Sequence, residues 1–414
     1  RDWSSDVCSS DLTTKSTHFF DVDETDLVSC VSCGLCLPHC PTYRISGRDE
    51  FSPRGRISLV NAVRSGELEL TDAVTSALES CVQCMGCLPA CPSGVRYDRI
   101  IEPVMAQLAA QSLRRRLLRS LTLMPLGRPH LLRLASRMAF VAQKTGLLPS
   151  RLGLPQMRWR RRPTAARHAS AHGTATDRPV VELFVGCVMN EWYSDVHEAS
   201  IAVLEDLGYD VITSDPRDCC GALHRHAGLV KRAEAFEHRF SSRDGEIPLL
   251  VNSAGCGAHL ATLTSRARDL MTFVDDALSN RVWPHDERVP GHVVAHDACH
   301  SRNLLGSHVA AHRAMSRFVE VSALPDDGLC CGAGGAYSLS HPDEASRLAE
   351  RKFDAVRSVL RADTFCVSSA NPGCTGHLIS HRPGDVDHLR VLHPIQIVAR
   401  GMGVLSSKFF DPSD

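Results

Sequence analysis

Two cysteine runs in the chain share one internal spacing. The first run is Cys30, Cys33, Cys36 and Cys40 followed by Pro41, and the second is Cys81, Cys84, Cys87 and Cys91 followed by Pro92. Three thiolates on a tight turn with a fourth before proline are typical of 4Fe–4S sites. Zinc more often takes two separated Cys-x-x-Cys pairs, and disulfides are usual in oxidising compartments. The spacing therefore favours two iron–sulfur clusters, which exchange single electrons, over zinc and disulfides.

In two-cluster sites with this spacing, the fourth cysteine of each run reaches the other cluster. We therefore expect one cluster on Cys30, Cys33, Cys36 and Cys91, and the other on Cys81, Cys84, Cys87 and Cys40. Such cross-ligation would hold the two clusters close together. Three arginines, Arg54, Arg56 and Arg96, lie beside the loops, where they either tune the cluster potentials or form ordinary surface and salt-bridge contacts.

A second set of cysteines is duplicated in the carboxyl-terminal half. Its members are Cys187, Cys219, Cys220 and Cys256 in the first copy, and Cys299, Cys330, Cys331 and Cys374 in the second. Each key cysteine follows a predicted strand, and ligands bind at the carboxyl ends of parallel strands. We expect the two copies to face each other across a thiol-rich cleft. The eight cysteines either hold one further iron–sulfur cluster or are buried structural residues.

Alternating strand and helix patterns in this half predict parallel α/β units. Strands are expected at 180–185, 209–213, 249–252, 292–296 and 364–368, and helices at 196–207 and 309–319. In the amino-terminal half, helices are expected at 56–64 and 71–78, between the cysteine runs. The predicted fold class is α+β: an amino-terminal α-helical two-cluster domain followed by a duplicated α/β cysteine-rich domain with parallel sheets.

These patterns divide the chain into six segments. They are a leader (1–19), the two-cluster domain (20–110), a basic helical bridge and linker (111–178), cysteine-rich repeats 1 (179–290) and 2 (291–402), and a tail (403–414). The leader differs in composition from the rest of the chain and is expected to be artefactual or disordered. Cys8 is therefore not counted among the candidate ligands. A net charge of −1 and an aromatic content of 5% argue against nucleic acid as a partner.

The stretch between Pro103 and Thr176 has fourteen Lys or Arg and no Asp or Glu. Leucines at helical spacing give it apolar faces, and basic amphipathic helices of this kind can lie on anionic lipid. We favour a helical bridge that packs on a partner subunit, with peripheral membrane contact through residues 111–168 as the alternative. The chain shows no secretory signal and no apolar run of membrane-spanning length, so we expect a cytoplasmic location, either free or on the inner face of the membrane.

Several motifs together resemble the iron–sulfur subunit family of glycolate oxidase (glycolate dehydrogenase), from about residue 20 to the end. They are Cys30 to Tyr43, Ser52 to Ile57, Cys91 to Tyr97, Cys219 to Ala222, Ser253 to Ala258, Leu329 to Gly332, Tyr337 to His341 and Asn371 to Cys374. The resemblance implies an electron-transfer subunit. A partner FAD subunit would oxidise glycolate to glyoxylate, and electrons would pass on to quinone or another membrane acceptor.

Related subunits of lactate and glycerol-3-phosphate dehydrogenases, and heterodisulfide reductases, share the same general plan. In heterodisulfide reductases each cysteine module ends in Cys-x-x-Cys, whereas here Ser253 and Asn371 replace the first cysteine of that pair. Oxygen and amide groups are poorer ligands for soft iron–sulfur sites. The replacement argues against non-cubane clusters and for at most one further cluster. A thiol–disulfide enzyme of the heterodisulfide reductase type and a zinc-stabilised interaction protein remain the alternatives.

Overall fold

The computed structural model describes residues 19–147, 177–243, 245–279, 281, 289–325 and 328–405. Most of the predicted leader and tail, and the linker over residues 148–176, lie outside the described residues. The amino-terminal domain is helical, with α1 Glu24–Val28, α2 Pro41–Ser46, α3 Pro53–Arg64, α4 Asp72–Glu79 and α5 Tyr97–Gln111. Both cysteine runs lie in the loops between these helices.

The helices of this domain begin where side chains can cap them. Ser52 accepts a hydrogen bond from the Gly55 N–H at the start of α3, and Thr71 accepts one from the Val74 N–H at the start of α4. Leu78, Ile100 and Val104 are almost fully buried in a core that also receives Cys87. The apolar faces of α3, α4 and α5 thus form the support on which the cysteine loops are built.

Each cysteine-rich repeat contains one four-stranded parallel sheet. Repeat 1 has β1 Val180–Phe184, β2 Asp210–Thr213, β3 Leu249–Val251 and β4 Ala267–Asp269, in the order β2-β1-β3-β4. Repeat 2 has β5 His292–His296, β6 Glu320–Ala323, β7 Thr364–Ser369 and β8 Arg390–Leu392, in the order β6-β5-β7-β8. All six strand pairings are parallel. The same topology appears twice, which confirms the predicted duplication and fold class.

Helices connect the strands and cover the sheets. Those of repeat 1 are α8 Cys187–Trp192, α9 Ser194–Asp206, α10 Ala222–His226, α11 Val230–Ser241, α12 Ala254–Leu260 and α13 Leu270–Leu278. Those of repeat 2 are α14 His308–Ser316, α15 Tyr337–Ser340, α16 Pro342–Ser358, α17 Pro372–Ser380 and α18 Pro394–Gly401, together with a π-helical turn at Ser301–Leu305.

The two repeats share one hydrophobic core. Helix α9 packs against α18, and α13 packs against α14, so each contact is the pseudo-symmetric counterpart of the other. The buried carboxylate of Asp275 on α13 receives Arg313 and Arg317, which lie on or next to α14. The repeats are therefore joined as closely as the subunits of an intimate dimer.

The basic segment forms α6 Leu113–Thr122 and α7 Pro129–Lys144, which fold back on the rest of the chain. The Trp192 indole N–H donates to the Ser136 hydroxyl at 2.8 Å, and Arg119 pairs with Glu79 at 2.8 Å. The predicted packing of this segment on a partner subunit stays a prediction, since both contacts lie within this chain. The opposite side carries exposed apolar side chains: Leu113, Leu117, Leu118 and Leu121 on α6, and Leu134, Met138 and Val141 on α7.

Within the described ranges, no helix combines the length and apolar character needed to cross a membrane.

Candidate metal centres and the thiol cavity

The backbone of both cysteine loops in the amino-terminal domain is strained. Among the described residues, three non-glycine residues have φ in the left-handed region: Ser32 at 56°, Gln83 at 55° and Met85 at 57°. Ser32 lies between Cys30 and Cys33, and the other two flank Cys84. Such conformations cost free energy and concentrate at functional sites. Here all three lie within the two cysteine runs, between or next to the expected ligands.

Cys40 lies beside the second cysteine run, although it belongs to the first. Burial is the main cause that raises the pKa of both Cys84 and Cys87 well above the usual thiol value, and the charge of Cys40 adds to it in both cases. Cys40 also acts on the pKa of Cys36. Cys40 therefore lies near sulfurs of both runs. The ligand sets themselves remain a prediction.

Arg56 is almost completely buried behind these sulfurs. Its guanidinium donates to the Ala77 carbonyl at 2.8 Å, to the Ser80 hydroxyl at 2.9 Å and to the Thr42 hydroxyl at 3.0 Å, and it lies 4.0 Å from the Cys40 sulfur. Burial alone lowers the pKa of Arg56, but Tyr97 and the nearby cysteines outweigh it and raise the pKa overall. Arg56 is therefore a fixed positive charge next to the second run.

The two other arginines considered from the sequence are placed differently. Arg54 pairs with Asp49 at 3.0 Å and donates to the Ser32 carbonyl at 3.2 Å, so it supports the first loop through its backbone. Arg96 forms an exposed ion pair with Asp98. Arg56, in contrast, directs its guanidinium at the Cys40 sulfur.

The cysteines of the two repeats meet at one cavity of about 430 Å³. Seven of the eight border it: Cys187, Cys219, Cys220, Cys256, Cys299, Cys330 and Cys374. The remaining wall is mainly apolar and includes Leu123, Leu126 and Leu132 from the α6–α7 region. The structure thus brings both copies to one thiol-rich space, which the bridge helices cover on one side.

Sulfurs in repeat 1 are close enough to interact in pairs. The Cys187 and Cys219 sulfurs are 3.7 Å apart, and those of Cys220 and Cys256 are 3.2 Å apart. Hydrogen bonds from Cys187 and Cys220 lower the pKa of Cys219 well below the usual thiol value, even though it is buried. The two neighbouring thiols therefore favour the thiolate form of Cys219.

The glycine of each Cys-Cys-Gly motif lets its loop pass close to a helix. Gly221 has φ 86°, and a Cβ there would lie 3.1 Å from the Ala233 carbonyl oxygen; Gly332 has φ 98°, and a Cβ would lie 2.6 Å from the Ala345 carbonyl oxygen. A side chain at either position would meet both backbone strain and a collision. Because the two glycines make the same contact, Ala233 of repeat 1 and Ala345 of repeat 2 occupy equivalent positions.

Ser253 and Asn371, the two residues that replace cysteines, face each other across the repeats. The Ser253 hydroxyl donates to Asn371 Oδ1 at 3.4 Å, and the Gly255 N–H donates to the same oxygen at 3.2 Å. The Asn371 amide nitrogen donates to the Cys374 sulfur at 3.5 Å. These side chains therefore join the two halves and orient one thiol through hydrogen bonds.

The cavity cysteines also lie next to the second amino-terminal loop. Cys84 packs in one cluster with Cys299 and Cys330, and the charge of Cys299 contributes to the raised pKa of Cys84. The Asn303 amide donates to the Cys84 carbonyl at 2.9 Å, and His300 Nε2 donates to the Gln83 carbonyl at 3.0 Å. The two sets of cysteines, which sequence alone treated separately, form one continuous region.

Sequence reasoning missed His296. Its imidazole lies with the sulfurs of Cys331 and Cys374, and the three ligand atoms are all within 4.8 Å of one another. Burial lowers the pKa of His296 to about 3, so the ring is neutral. The available signal was its place three residues before Cys299, at the end of a predicted strand.

Comparison with known proteins agrees with this arrangement. Residues 26–95 match the family model of the 4Fe-4S dicluster domain, and residues 181–261 and 293–379 match that of the cysteine-rich domain. The matches lie inside the predicted domain boundaries. The chain therefore contains one dicluster domain and two cysteine-rich domains.

Three relatives illustrate the similarity over longer stretches. The "Probable glycolate oxidase iron-sulfur subunit" of Bacillus subtilis (strain 168) is 28% identical, covering 85% of this chain and 88% of that protein. The "Glycolate oxidase iron-sulfur subunit" of Escherichia coli (strain K12) is 27% identical, covering 91% and 94%. "Lactate utilization protein A" of Geobacillus thermodenitrificans (strain NG80-2) is 26% identical, covering 53% and 98%. The resemblance found from the motifs is confirmed.

Proposed function

Because the chain joins a 4Fe-4S dicluster domain to two cysteine-rich domains, we propose that it is the electron-transfer subunit of a flavin-dependent glycolate oxidase (glycolate dehydrogenase). A partner subunit carrying FAD would oxidise glycolate to glyoxylate. This chain would take electrons from the flavin and deliver them toward quinone. The names of the relatives support the substrate, and the arrangement of the cysteines supports the electron-transfer role.

The observation that carries the proposal is the pair of strained cysteine loops with Cys40 beside Cys84 and Cys87. Two 4Fe–4S clusters held there would supply one-electron transfer between a two-electron flavin and its acceptor. The protein contributes thiolate ligands, a buried environment and the fixed charge of Arg56. Each of these influences the potential at which such a site accepts an electron.

The proposal includes at most one further iron–sulfur cluster, in the cavity between the repeats. Support comes from the gathering of seven cysteines around a single space rather than two. Ser253 and Asn371 stand where a fifth cysteine of each repeat would be needed for a separate cluster. Their side chains hydrogen-bond each other instead. Iron analysis of anaerobically prepared protein distinguishes about eight irons per chain from about twelve.

The exposed apolar side of α6 and α7 is our proposed contact surface for the partner subunit, with lipid as the alternative. The opposite side of these helices is already occupied by the cavity wall. A large exposed apolar patch on a soluble domain commonly marks an interaction surface. A partner bound here would sit close to the cysteines of repeat 1, which the same helices cover.

The test is reconstitution of the complex with its flavin subunit, carried out with wild-type protein and with Cys84→Ser. We expect Cys84→Ser to stop quinone reduction by glycolate while glycolate still reduces the flavin. The matched control is Cys366→Ala, since Cys366 is a buried cysteine of β7 outside both cysteine sets. Unchanged quinone reduction by the Cys84→Ser complex contradicts the proposal. Testing lactate and glycerol-3-phosphate in parallel identifies the substrate class.

A thiol–disulfide enzyme is the second candidate, and the contact between Cys220 and Cys256 favours it. Their sulfurs are 3.2 Å apart and next to Cys219, whose pKa is lowered. Oxidation of the two thiols would form one S–S bond and release two protons and two electrons to a disulfide substrate. Disulfide reduction by the purified chain with an artificial electron donor, lost on Cys256→Ser, would establish this activity.

A further inference from the structure

Three buried side chains in repeat 2 converge at one point. The imidazole of His296 at the end of β5, the sulfur of Cys331 in the Cys-Cys-Gly loop and the sulfur of Cys374 in α17 present ligand atoms within 4.8 Å of one another. Zinc binds thiolates at about 2.3 Å and imidazole at about 2.0 Å. On one tetrahedral ion such ligand atoms lie about 3.5–3.8 Å from one another. The three atoms here, all within 4.8 Å, are close to that arrangement.

His296 has no other evident role in this position. Its side chain is 3% exposed, and neither ring nitrogen has a hydrogen-bond partner among the residues that the structure describes. Two other buried histidines of repeat 2 are fully engaged: His292 contacts the Thr364 and Ser322 hydroxyls, and His393 contacts the Asn252 carbonyl and the Ile395 N–H. A buried polar ring without partners is costly unless a ligand satisfies it.

Repeat 1 lacks this histidine although it has the equivalent cysteines. Phe184 ends β1, three residues before Cys187, just as His296 ends β5, three residues before Cys299. The Phe184 ring packs against Phe240 with 5.6 Å between ring centres, behind Cys220. The corresponding space in repeat 1 is therefore closed by an aromatic pair and has no nitrogen ligand.

The second member of that aromatic pair, Phe240, also has a different residue at its position in repeat 2. Ala233 of repeat 1 corresponds to Ala345 of repeat 2. Phe240 lies seven residues after the first and Lys352 seven residues after the second, so Lys352 occupies the position of Phe240. Lys352 is 2% exposed, donates to the Leu329 carbonyl and acts electrostatically on His296. An aromatic pair in repeat 1 thus corresponds to an imidazole and an amine in repeat 2.

From this geometry we propose that His296, Cys331 and Cys374 bind one divalent metal ion of the zinc class. The ion ties together the end of β5, the Cys-Cys-Gly loop and α17. Asn371 donates to the Cys374 sulfur and so orients that ligand. Three protein ligands leave one position of a tetrahedron, and Cys374 is the ligand that borders the cavity.

A single ion suits these residues better than an iron–sulfur cube. In a cube, each protein ligand binds a different iron, and the ligands are spread around the cluster. Here the three atoms share one small space. The other six cysteines of the repeats are not used by this site, so it is compatible with a further cluster in the cavity as well as with none.

The test uses the untagged full-length protein purified without oxygen. We expect one tightly held zinc per chain in addition to the cluster iron. X-ray absorption at the zinc edge, which the iron does not obscure, should show two sulfur ligands and one imidazole. His296→Phe introduces the residue that repeat 1 has at this position. The spectrum of this variant should lack the imidazole signal, and its zinc content after dialysis against a chelator should be lower by about tenfold or more.

Matched variants keep the result interpretable. Cys366→Ala removes a buried thiol of the same sheet outside the site and should leave zinc unchanged, whereas Cys374→Ser should lose it. If His296→Phe does not fold, as judged by circular dichroism, His296→Gln replaces it. The proposal is overturned if the wild-type protein takes up no zinc, if the His296 variant holds zinc with an unchanged spectrum, or if the variant instead loses iron of a third cluster. The iron of the amino-terminal clusters reports separately on the electron-transfer proposal.

Discussion

The side-chain amide of Asn303 donates a hydrogen bond of 2.9 Å to the backbone carbonyl of Cys84, 219 positions earlier in the chain. Asn303 belongs to the π-helical turn that follows Cys299, and Cys84 is the central cysteine of the second loop. One hydrogen bond thus links the backbone of a predicted cluster ligand directly to the repeat that contains the thiol cavity.

Asn303→Ala tests how firmly this contact joins the domains. The substitution leaves the partly buried Cys84 carbonyl without this donor, so we expect the free energy of unfolding to fall by roughly 1–3 kcal/mol. Hydrogen exchange should accelerate first around Gln83 to Met85. Asn61→Ala, an exposed position on α3, is the control. Equal exchange in both variants would show that the contact does not hold the loop.

Arg56→Met tests the buried charge next to Cys40. Loss of the guanidinium leaves the Ala77 carbonyl and the Thr42 and Ser80 hydroxyls short of a partner, which should reduce the free energy of unfolding by roughly 2–4 kcal/mol. A cluster at this site should also become harder to reduce, by roughly tens of millivolts, since a nearby positive charge stabilises the reduced form.

Redox titration followed by electron paramagnetic resonance measures that potential. Arg96→Gln, which removes an exposed ion-paired arginine, should leave both potentials where they are in the wild type. If Arg56→Met folds and shows the same two potentials, Arg56 is a structural residue without influence on the clusters.

His197 makes the protein sensitive to mild acid. Its Nε2 faces the Val185 carbonyl at 2.9 Å and must donate, while Nδ1 lies 2.9 Å from the Asn252 amide nitrogen and must accept, so the ring is neutral. Burial lowers its pKa to about 4. As pH falls from about 6.5 to about 4, the unfolded chain takes up this proton first.

The free energy of unfolding should therefore fall over that interval, by on the order of 3 kcal/mol from His197 alone. Chemical unfolding at a series of pH values should show a shallower fall for His197→Gln than for the wild type. His388→Gln, at an exposed position, serves as the control and should follow the wild type. Parallel curves for wild type and His197→Gln would assign the acid sensitivity to other groups.

The exposed side of α6 and α7 should be required for assembly but not for folding. Leu117→Gln with Met138→Gln removes two strongly exposed apolar side chains and should change the free energy of unfolding by no more than about 0.5 kcal/mol. Co-purification with the flavin subunit should be lost. Val309→Gln, an exposed change on repeat 2, should retain it.

Sedimentation with anionic and neutral lipid vesicles separates the two possible occupants of this surface. A partner surface predicts that the double variant and the wild type bind vesicles equally weakly. Strong binding of the wild type to anionic vesicles, lost in the variant while the subunit complex persists, would instead assign the surface to lipid.

Local sequence patterns predicted the central elements of each repeat well. The strand expected at 292–296 matches β5 exactly, and the helix expected at 196–207 corresponds to α9 Ser194–Asp206. Three strands were missed: β4, β6 and β8. They are three or four residues long and all three lie at sheet edges, so they have little apolar signal of their own, and their position depends on pairing with a neighbour.

The site was predictable in composition but not in geometry. Short spacing singled out the eight amino-terminal cysteines, and internal duplication singled out the eight of the repeats, seven of which border one cavity. The contact of Cys84 with Cys299 and Cys330 was not predictable, since it depends on how two domains dock. Likewise, the role of Ser253 and Asn371 as hydrogen-bond partners appears only when the repeats are placed face to face.

The pairing of α9 with α18 and of α13 with α14 has an evolutionary consequence. A protein made of a single repeat would leave these apolar helix faces open to water, and a second copy related by a twofold axis would cover them. Gene fusion of such a homodimer would produce the arrangement seen in this chain. Two halves in one chain can differ in sequence at equivalent positions, as Phe184 and His296 do at the ends of β1 and β5.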